Sequence, residues 1–358
     1  MKVKPIKPEK LPIRDLNSTA LADLISQAHF ALGSFEALTS KVENPQAVFS
    51  LLIKQEALNS LHAQHISIRL EHLLEDETLD KAKQVRNYER AWKEASSILK
   101  KEPISLALIK KMQSMIRGKS NKTQPTGQKF RAWQNWIGPE GGKIEEAYFF
   151  PPKPSQVTKY MENLIRYLRL KDQDKLVQLA VFFAQLLIIH PFMDGNGRLA
   201  RLLIPLIFSK KKTLSHPLFF MSGYFMKHRV RYFQKLYDIS AEGDWEGWVR
   251  FFLIGIIEQG KQNCAQAQAL TIFYIKLRTT LDSLLTTEDA KKVAAYIFQH
   301  PVFQEADLIK KVVHSSATAR RLTSKLAELG FLKRRKDKKE KRWFAPPLLR
   351  ICRLQKQD

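Results

Sequence analysis

Residues 190–201 read His-Pro-Phe-Met-Asp-Gly-Asn-Gly-Arg-Leu-Ala-Arg, a run that places a titratable ring, an acid, a glycine-flanked amide and two guanidiniums close together. An imidazole titrates near neutral pH, so His190 can take a proton from a hydroxyl. Gly195 and Gly197, either side of Asn196, allow a close backbone approach and offer N–H groups to an anion at a helix start. Asp194 is a carboxylate of the kind that shares Mg²⁺ with phosphate oxygens. Arg198 and Arg201 fall on one side of a helix that begins just after the glycines. A base, a cation site and a positive cradle are the parts needed to transfer a phosphorus group to a hydroxyl.

Those parts need rigid elements to hold them. The apolar stretch Leu176 to Ile189, interrupted by Gln178 and Gln185, is too short to span a bilayer. It reads as a buried helix whose end delivers His190 to the edge of a core, with Pro191 and Phe192 fixing the direction of the ring. Residues 126–150 carry glycines at 127, 138, 141 and 142 with aromatic residues either side, which suits a β-hairpin. From Ser155 the pattern is helical to about Asn263. Upstream, residues 1–18 read as a Pro- and Lys-containing lead-in, after which Leu21, Leu24, Ile25, Ala28 and Leu32 line one helical face. Asn44-Pro45 punctuates that pattern. Further helices run from about Ala47 to Leu61, through Leu74, and from Asp80 to Lys100.

The last part of the chain changes character. It reads as helix, short helix, turn, helix and basic hairpin, with a cap at Ser315-Ser316 and a stop at Gly330. Leu322, Leu326 and Leu329 form the apolar stripe of the second long helix, leaving Arg320, Arg321, Thr323 and Ser324 outward. The expected fold is therefore mainly α, with a small β-hairpin and a C-terminal winged helix-turn-helix. The expected domains are a helical region over 1–100, a core over 101–263 and the winged helix over 264–358.

Composition agrees. With 358 residues the chain can bury two or three cores, and 14 Gly and 16 Pro favour helix. Two distant cysteines, Cys264 and Cys352, with no CxxC spacing argue against a disulfide scaffold or a zinc site and fit a reducing cytoplasm. No apolar run opens the chain, so neither a signal peptide nor a membrane partner is expected. The net charge of +25 favours polyanions, and 333–342 is dense in Lys and Arg. Nucleic acid is thus a candidate partner of residues 285–350.

The run from His190 to Arg201 resembles the Fic signature, H-x-F-x-[D/E]-G-N-G-R-x-x-R, with every defining position filled. The stretches 127–138 and 147–157 resemble the family's substrate-binding flap, 222–253 its later helices, and 51–75 its N-terminal helix. The resemblance implies a Fic helical core that transfers AMP from ATP, with Mg²⁺ or Mn²⁺, to a Ser, Thr or Tyr hydroxyl of a target protein or of itself. It implies His190 as base and Asp194 as metal ligand. Gly195, Asn196 and Gly197 would cradle phosphates, with Arg198 and Arg201 on the β- and γ-phosphates. A flap of Trp133, Gln134, Asn135, Trp136, Ile137 and Gly138 would align the target by strand addition. The family often carries a glutamate three residues before the histidine and a histidine seven before it. Leu187 and Phe183 stand there, which implies a repacked core. Other donors remain open (UMP, phosphate or phosphocholine), as does a DNA-binding regulator with an accessory core. The sequence leaves the oligomeric state open, a homodimer included.

The family is often self-inhibited by a helix bearing [S/T]-x-x-x-E-[G/N], whose glutamate pairs with the second signature arginine. A literal match at Thr39–Asn44 is followed at once by Pro45, which would end that helix. The pattern around 54–66 instead places the motif at Ser60 to His65, with Gln64 where the glutamate belongs. Weak self-inhibition is the expectation, with Glu56 or Glu71 as the alternative acid for the clamp.

Overall fold

A chain this rich in helix formers organises around its most apolar helix. The computed structural model describes residues 5–13, 16, 19–62, 70–75, 79–118, 129–138, 143, 145, 147, 149–171, 173–334 and 342–353. After a turn at Thr19–Leu21 come α1 (Ala22–Thr39), α2 (Pro45–Val48), α3 (Ser50–His62), α4 (Leu70–Glu75) and α5 (Asp80–Leu99). Then follow α6 (Leu106–Arg117), α7 (Pro154–Tyr167), α8 (Lys175–Ile189), α9 (Asn196–Lys210), α10 (Ser222–Lys227), α11 (Arg229–Glu242) and α12 (Trp245–Asp282). The chain closes with α13 (Thr287–Gln299), β1 (Val302–Gln304), α14 (Glu305–Leu308), a π-helical turn (Ile309–Val313), α15 (Ser316–Glu328), β2 (Lys333–Arg334), β3 (Arg342–Phe344) and α16 (Pro346–Arg353). The described residues divide into two units: one of 1–33, 59–66 and 84–260, the other of 34–58, 67–83 and 261–358.

In the first unit α8 is the axis. Every residue from Leu176 to Ile189 is buried, and α7, α9 and α11 pack around it. The amide nitrogens of its two glutamines both find carbonyl acceptors, while Gln185 Oε1 has no partner among the described residues. Gln178 donates to the carbonyls of Tyr167 and Leu170 at 2.7 and 3.1 Å, and Gln185 donates to that of Glu9 at 2.7 Å. Asp174 caps the helix by accepting from Leu176 N–H at 2.8 Å. Phe183 stacks on Trp248 at 5.9 Å between ring centres and on Phe225 at 5.1 Å, with Tyr232 and Phe252 tilted against it. An aromatic cluster thus fills the position where the family often has a histidine.

Two details of the first unit were not in the sequence reading. Within the lead-in Leu11 and Ile13 are buried, and Asn163 bridges both backbone groups of Leu11 at 3.0 and 3.2 Å. Proline-rich backbone gives no periodic signal for such packing. The expected hairpin over 126–150 is reduced, among the described residues, to one antiparallel bridge between Ile137 and Phe149.

The second unit pairs helices with a three-stranded antiparallel sheet in the order β1-β3-β2. Ser315 caps α15 by accepting from Thr318 N–H at 3.3 Å, and Gly330 takes φ +78 just past its end. Leu322 and Leu326 are buried as expected, but Leu329 lies beyond the helix and is exposed. Thr323 points inward, its hydroxyl donating to the Ala319 carbonyl at 3.0 Å. Strand β1 carried no sequence signal, being only three residues long. Among the described residues no helix is long and apolar enough to cross a membrane.

Candidate active site

Helix α8 ends because His190 adopts φ 47, a left-handed conformation uncommon outside glycine. That turn throws the chain across to α9 in six residues. Asn196 closes the loop as a surrogate backbone: its Oδ1 accepts from Phe192 N–H at 2.9 Å and its Nδ2 donates to Phe192 C=O at 2.8 Å. Gly195, at φ 81, caps α9, so the first turn of that helix directs its N–H groups to the same side as the loop. The helix begins at Asn196, two residues earlier than the sequence suggests, and no side chain caps its first N–H groups.

The imidazole of His190 is anchored through Nδ1, which lies 3.2 Å from the Leu187 carbonyl. A carbonyl can only accept, so Nδ1 carries the proton and Nε2 is left with its lone pair. Burial of the ring lowers its pKa from 6.5 to about 4. The bond to Leu187 and the charge of Asp194 oppose the shift, and the charge of Arg131 adds to it. His190 is therefore neutral near pH 7, the form a base needs.

Asp194 engages both carboxylate oxygens locally. Oδ1 accepts from Gly195 N–H at 2.6 Å and Oδ2 from Arg198 Nη2 at 2.8 Å, with its side chain 53% exposed. Among the described residues no group of three or more His, Cys, Asp or Glu could hold a metal. One half-exposed carboxylate beside an anion nest fits Mg²⁺ of the kind completed by phosphate oxygens and water. Arg198 is buried, and its Nε has no partner among the described residues. Arg201 is also buried. Its Nε donates to Ser60 Oγ and its Nη2 to Ser60 C=O, both at 2.9 Å. Tyr232 lies near enough to Arg201 to feel its charge, and burial pushes its phenol up to about 12. The Nη1 of Arg201 faces the glycine turn, where a Cβ added to Gly197 would lie 3.1 Å from it. Both guanidiniums thus approach the start of α9.

The residues expected in the flap separate into two sets. Asn135 and Gln134 tie it down, with Asn135 Nδ2 donating to Phe192 C=O at 3.3 Å and Gln134 Nε2 to Pro151 C=O at 2.8 Å. Ile137 makes the bridge to Phe149, and Gly138 follows it, half-buried. Trp133 and Trp136 are exposed, 64% and 42%. Of the two positions singled out for regulation, Ser60 reaches Arg201, and Gln64 lies outside the described residues. Glu43, in the literal match at Thr39–Asn44, lies past the end of α1 and pairs with Lys291 at 2.7 Å.

Two residues that the sequence reading missed hold the loop. Arg131 is buried, and its Nε donates to His190 C=O at 2.9 Å. Its Nη atoms donate to the carbonyls of Trp133, Pro152 and Ile189, and its own N–H donates to Pro191 C=O at 2.9 Å. Burial lowers its pKa to about 10, which still leaves it charged at neutral pH. Gln113 donates from Nε2 to Asp194 C=O at 2.9 Å. Neither belongs to the 190–201 run, and a lone arginine or glutamine carries no spacing signal.

Sequence comparisons identify the family. Residues 103–208 match the Fic/DOC family and residues 22–97 match the Fic/DOC family N-terminal region. The chain belongs to the Fic/DOC family. It is similar to a probable protein adenylyltransferase of Aquifex aeolicus (strain VF5), with 23% identity over 257 residues, covering 68% of this chain and 71% of that protein. It is similar to protein adenylyltransferase fic-1 of Caenorhabditis elegans, with 26% identity over 201 residues, 54% of this chain but 34% of that protein. In fold it is similar to a Fic family protein from Desulfovibrio desulfuricans G20, at TM-score 0.57 and 16% identity over 95% of this chain and 98% of that one.

Proposed function

We propose that the chain is a protein adenylyltransferase that moves AMP from ATP to a hydroxyl of a protein, itself included. The observation that carries this reading is a neutral His190 with Nε2 free, set beside a glycine turn that two buried arginines approach. In the proposed step the target hydroxyl oxygen attacks the α-phosphorus of ATP and its proton passes to His190 Nε2. The bond from the α-phosphorus to the bridging oxygen breaks, and pyrophosphate leaves with that electron pair. The N–H groups opening α9 hold the phosphates, and Arg198 and Arg201 offset the charge that grows on the leaving group. Asp194 would hold Mg²⁺, which supplies charge neutralisation at the phosphates when bound. The exposed edge at Trp133 and Trp136 is where the target segment would lie along the flap. Relatives named as adenylyltransferases support the reading at the level of the family. The test is nucleotide competition: excess unlabelled ATP should suppress labelling from α-labelled ATP, and excess UTP should not. Equal suppression by UTP would move the donor assignment.

The depressed pKa of His190 sets the pH profile. A group whose protonated form is disfavoured down to about 4 stays competent as a base well below the usual 6.5. The acid limb of kcat/KM, which reports the free enzyme, should therefore fall nearer pH 4 than 6.5. An acid limb centred at 6.5 or above would contradict the buried-ring account.

Regulation turns on the same arginine. Ser60 offers Arg201 two neutral oxygens, and Gln64 brings no carboxylate to strengthen that hold. We infer that self-inhibition is weak and basal transfer high. Gln64→Glu should suppress self-modification several-fold; an unchanged rate would mean that this position does not face Arg201.

A further inference from the structure

The second unit contains a surface that the transfer reaction does not use. Helix α14 with its π turn and helix α15 are joined by two residues, His314 at φ 52 and the capping Ser315. This is a helix-turn-helix. It is framed by β1 and by the strands β2 and β3, and β2 leaves α15 directly after the turn at Gly330. Buried Ala319, Leu322, Thr323 and Leu326 fix one face of α15 inward. The opposite face exposes Ser316, Ala317, Arg320, Arg321 and Ser324, spaced so that they form one continuous stripe. Small side chains at the start of the helix with two arginines one turn on leave room for close approach to a groove and put long donors at its walls. Lys333 and Arg334 are exposed on β2. Arg320 also lies 3.6 Å from Glu305 and Arg321 3.3 Å from the Leu284 carbonyl, and further N–H donors remain on each guanidinium.

We propose that this unit is a winged helix-turn-helix that binds duplex DNA, with α15 entering the major groove and β2 contacting the flanking backbone. Charge complementarity selects the occupant. The stripe from Ser316 to Ser324 carries two positive charges and no acid, as a phosphate-lined groove requires.

The test uses the full chain and a short fluorescent random-sequence duplex, followed by anisotropy between about 50 and 200 mM salt. Three proteins are compared. These are wild type, the double variant Arg320→Ser/Arg321→Ser, and a charge-matched control in the first unit, Lys159→Ser/Lys227→Ser. All four substituted residues are exposed, and unchanged far-ultraviolet circular dichroism verifies folding. We expect the α15 variant to weaken binding at least about tenfold and to flatten the salt slope by up to about two, and the control to stay within about twofold of wild type. Equal weakening by both variants would reduce the effect to net charge and overturn the proposal. So would wild-type binding to a poly-glutamate peptide as tight as to the duplex, which would make the partner an acidic protein surface.

Discussion

His190→Ala should abolish transfer while leaving nucleotide affinity within about threefold. The ring supplies the base and no phosphate contact, so its loss removes a proton acceptor worth about 10²–10⁴ in rate. The substitution keeps the Cβ at φ 47 and removes no backbone hydrogen bond of the loop. Isothermal titration with a non-hydrolysable ATP analogue, run beside a label-transfer assay, separates the two effects. Retained transfer would remove His190 from the base role. Lost nucleotide binding would show that the variant had collapsed the loop, and the rate could then not be assigned to the base.

Arg131→Gln should lower kcat by about a hundredfold through position alone, because misplacement of a catalytic group by an ångström costs that much. Arg131 touches no reacting atom in the proposed step. It holds the left-handed turn at His190 by donating to the carbonyls of Ile189 and His190, and it ties that turn to the flap through Trp133 and Pro152. Glutamine is too short to span those carbonyls, and each buried carbonyl left without a donor costs about 1–3 kcal/mol. A lower melting temperature is therefore expected too. The readout that a general loss of stability would not move is the split between kcat and nucleotide Kd at a temperature where the variant is fully folded. We expect kcat to fall with Kd nearly unchanged, and Arg131→Lys to recover a minor part, since an ammonium lacks the planar fork. An undiminished kcat in folded Arg131→Gln would show that the turn at His190 needs no clamp.

What was legible in the sequence was chemistry held in one contiguous run. His190, Asp194, Asn196 and the two arginines fall within a loop and the first turns of one helix, so spacing alone brings them together. The long-range partners were not legible, because tertiary packing brings Arg131, Gln113 and Tyr232 to that run from distant elements. Ser60 was found through a family pattern and not through periodicity. Helix α8 was readable as a buried helix from its apolarity, but the carbonyls that receive its two glutamines, on Tyr167, Leu170 and Glu9, were not. On α15 the error at Thr323 has a simple cause. Threonine reads as outward on a helix, but its hydroxyl can bond the carbonyl one turn back and be buried without cost to hydrogen bonding.

The central claim is that the group transferred is AMP, and its position on ATP decides it. Two incubations of the wild-type chain with Mg²⁺, one with ATP labelled at the α-phosphate and one with ATP labelled at the γ-phosphate, followed by denaturing electrophoresis, read it directly. The account predicts label on protein from the α-position, none from the γ-position, and none from either in His190→Ala. Label arriving from the γ-position would make the chain a phosphotransferase and contradict the account.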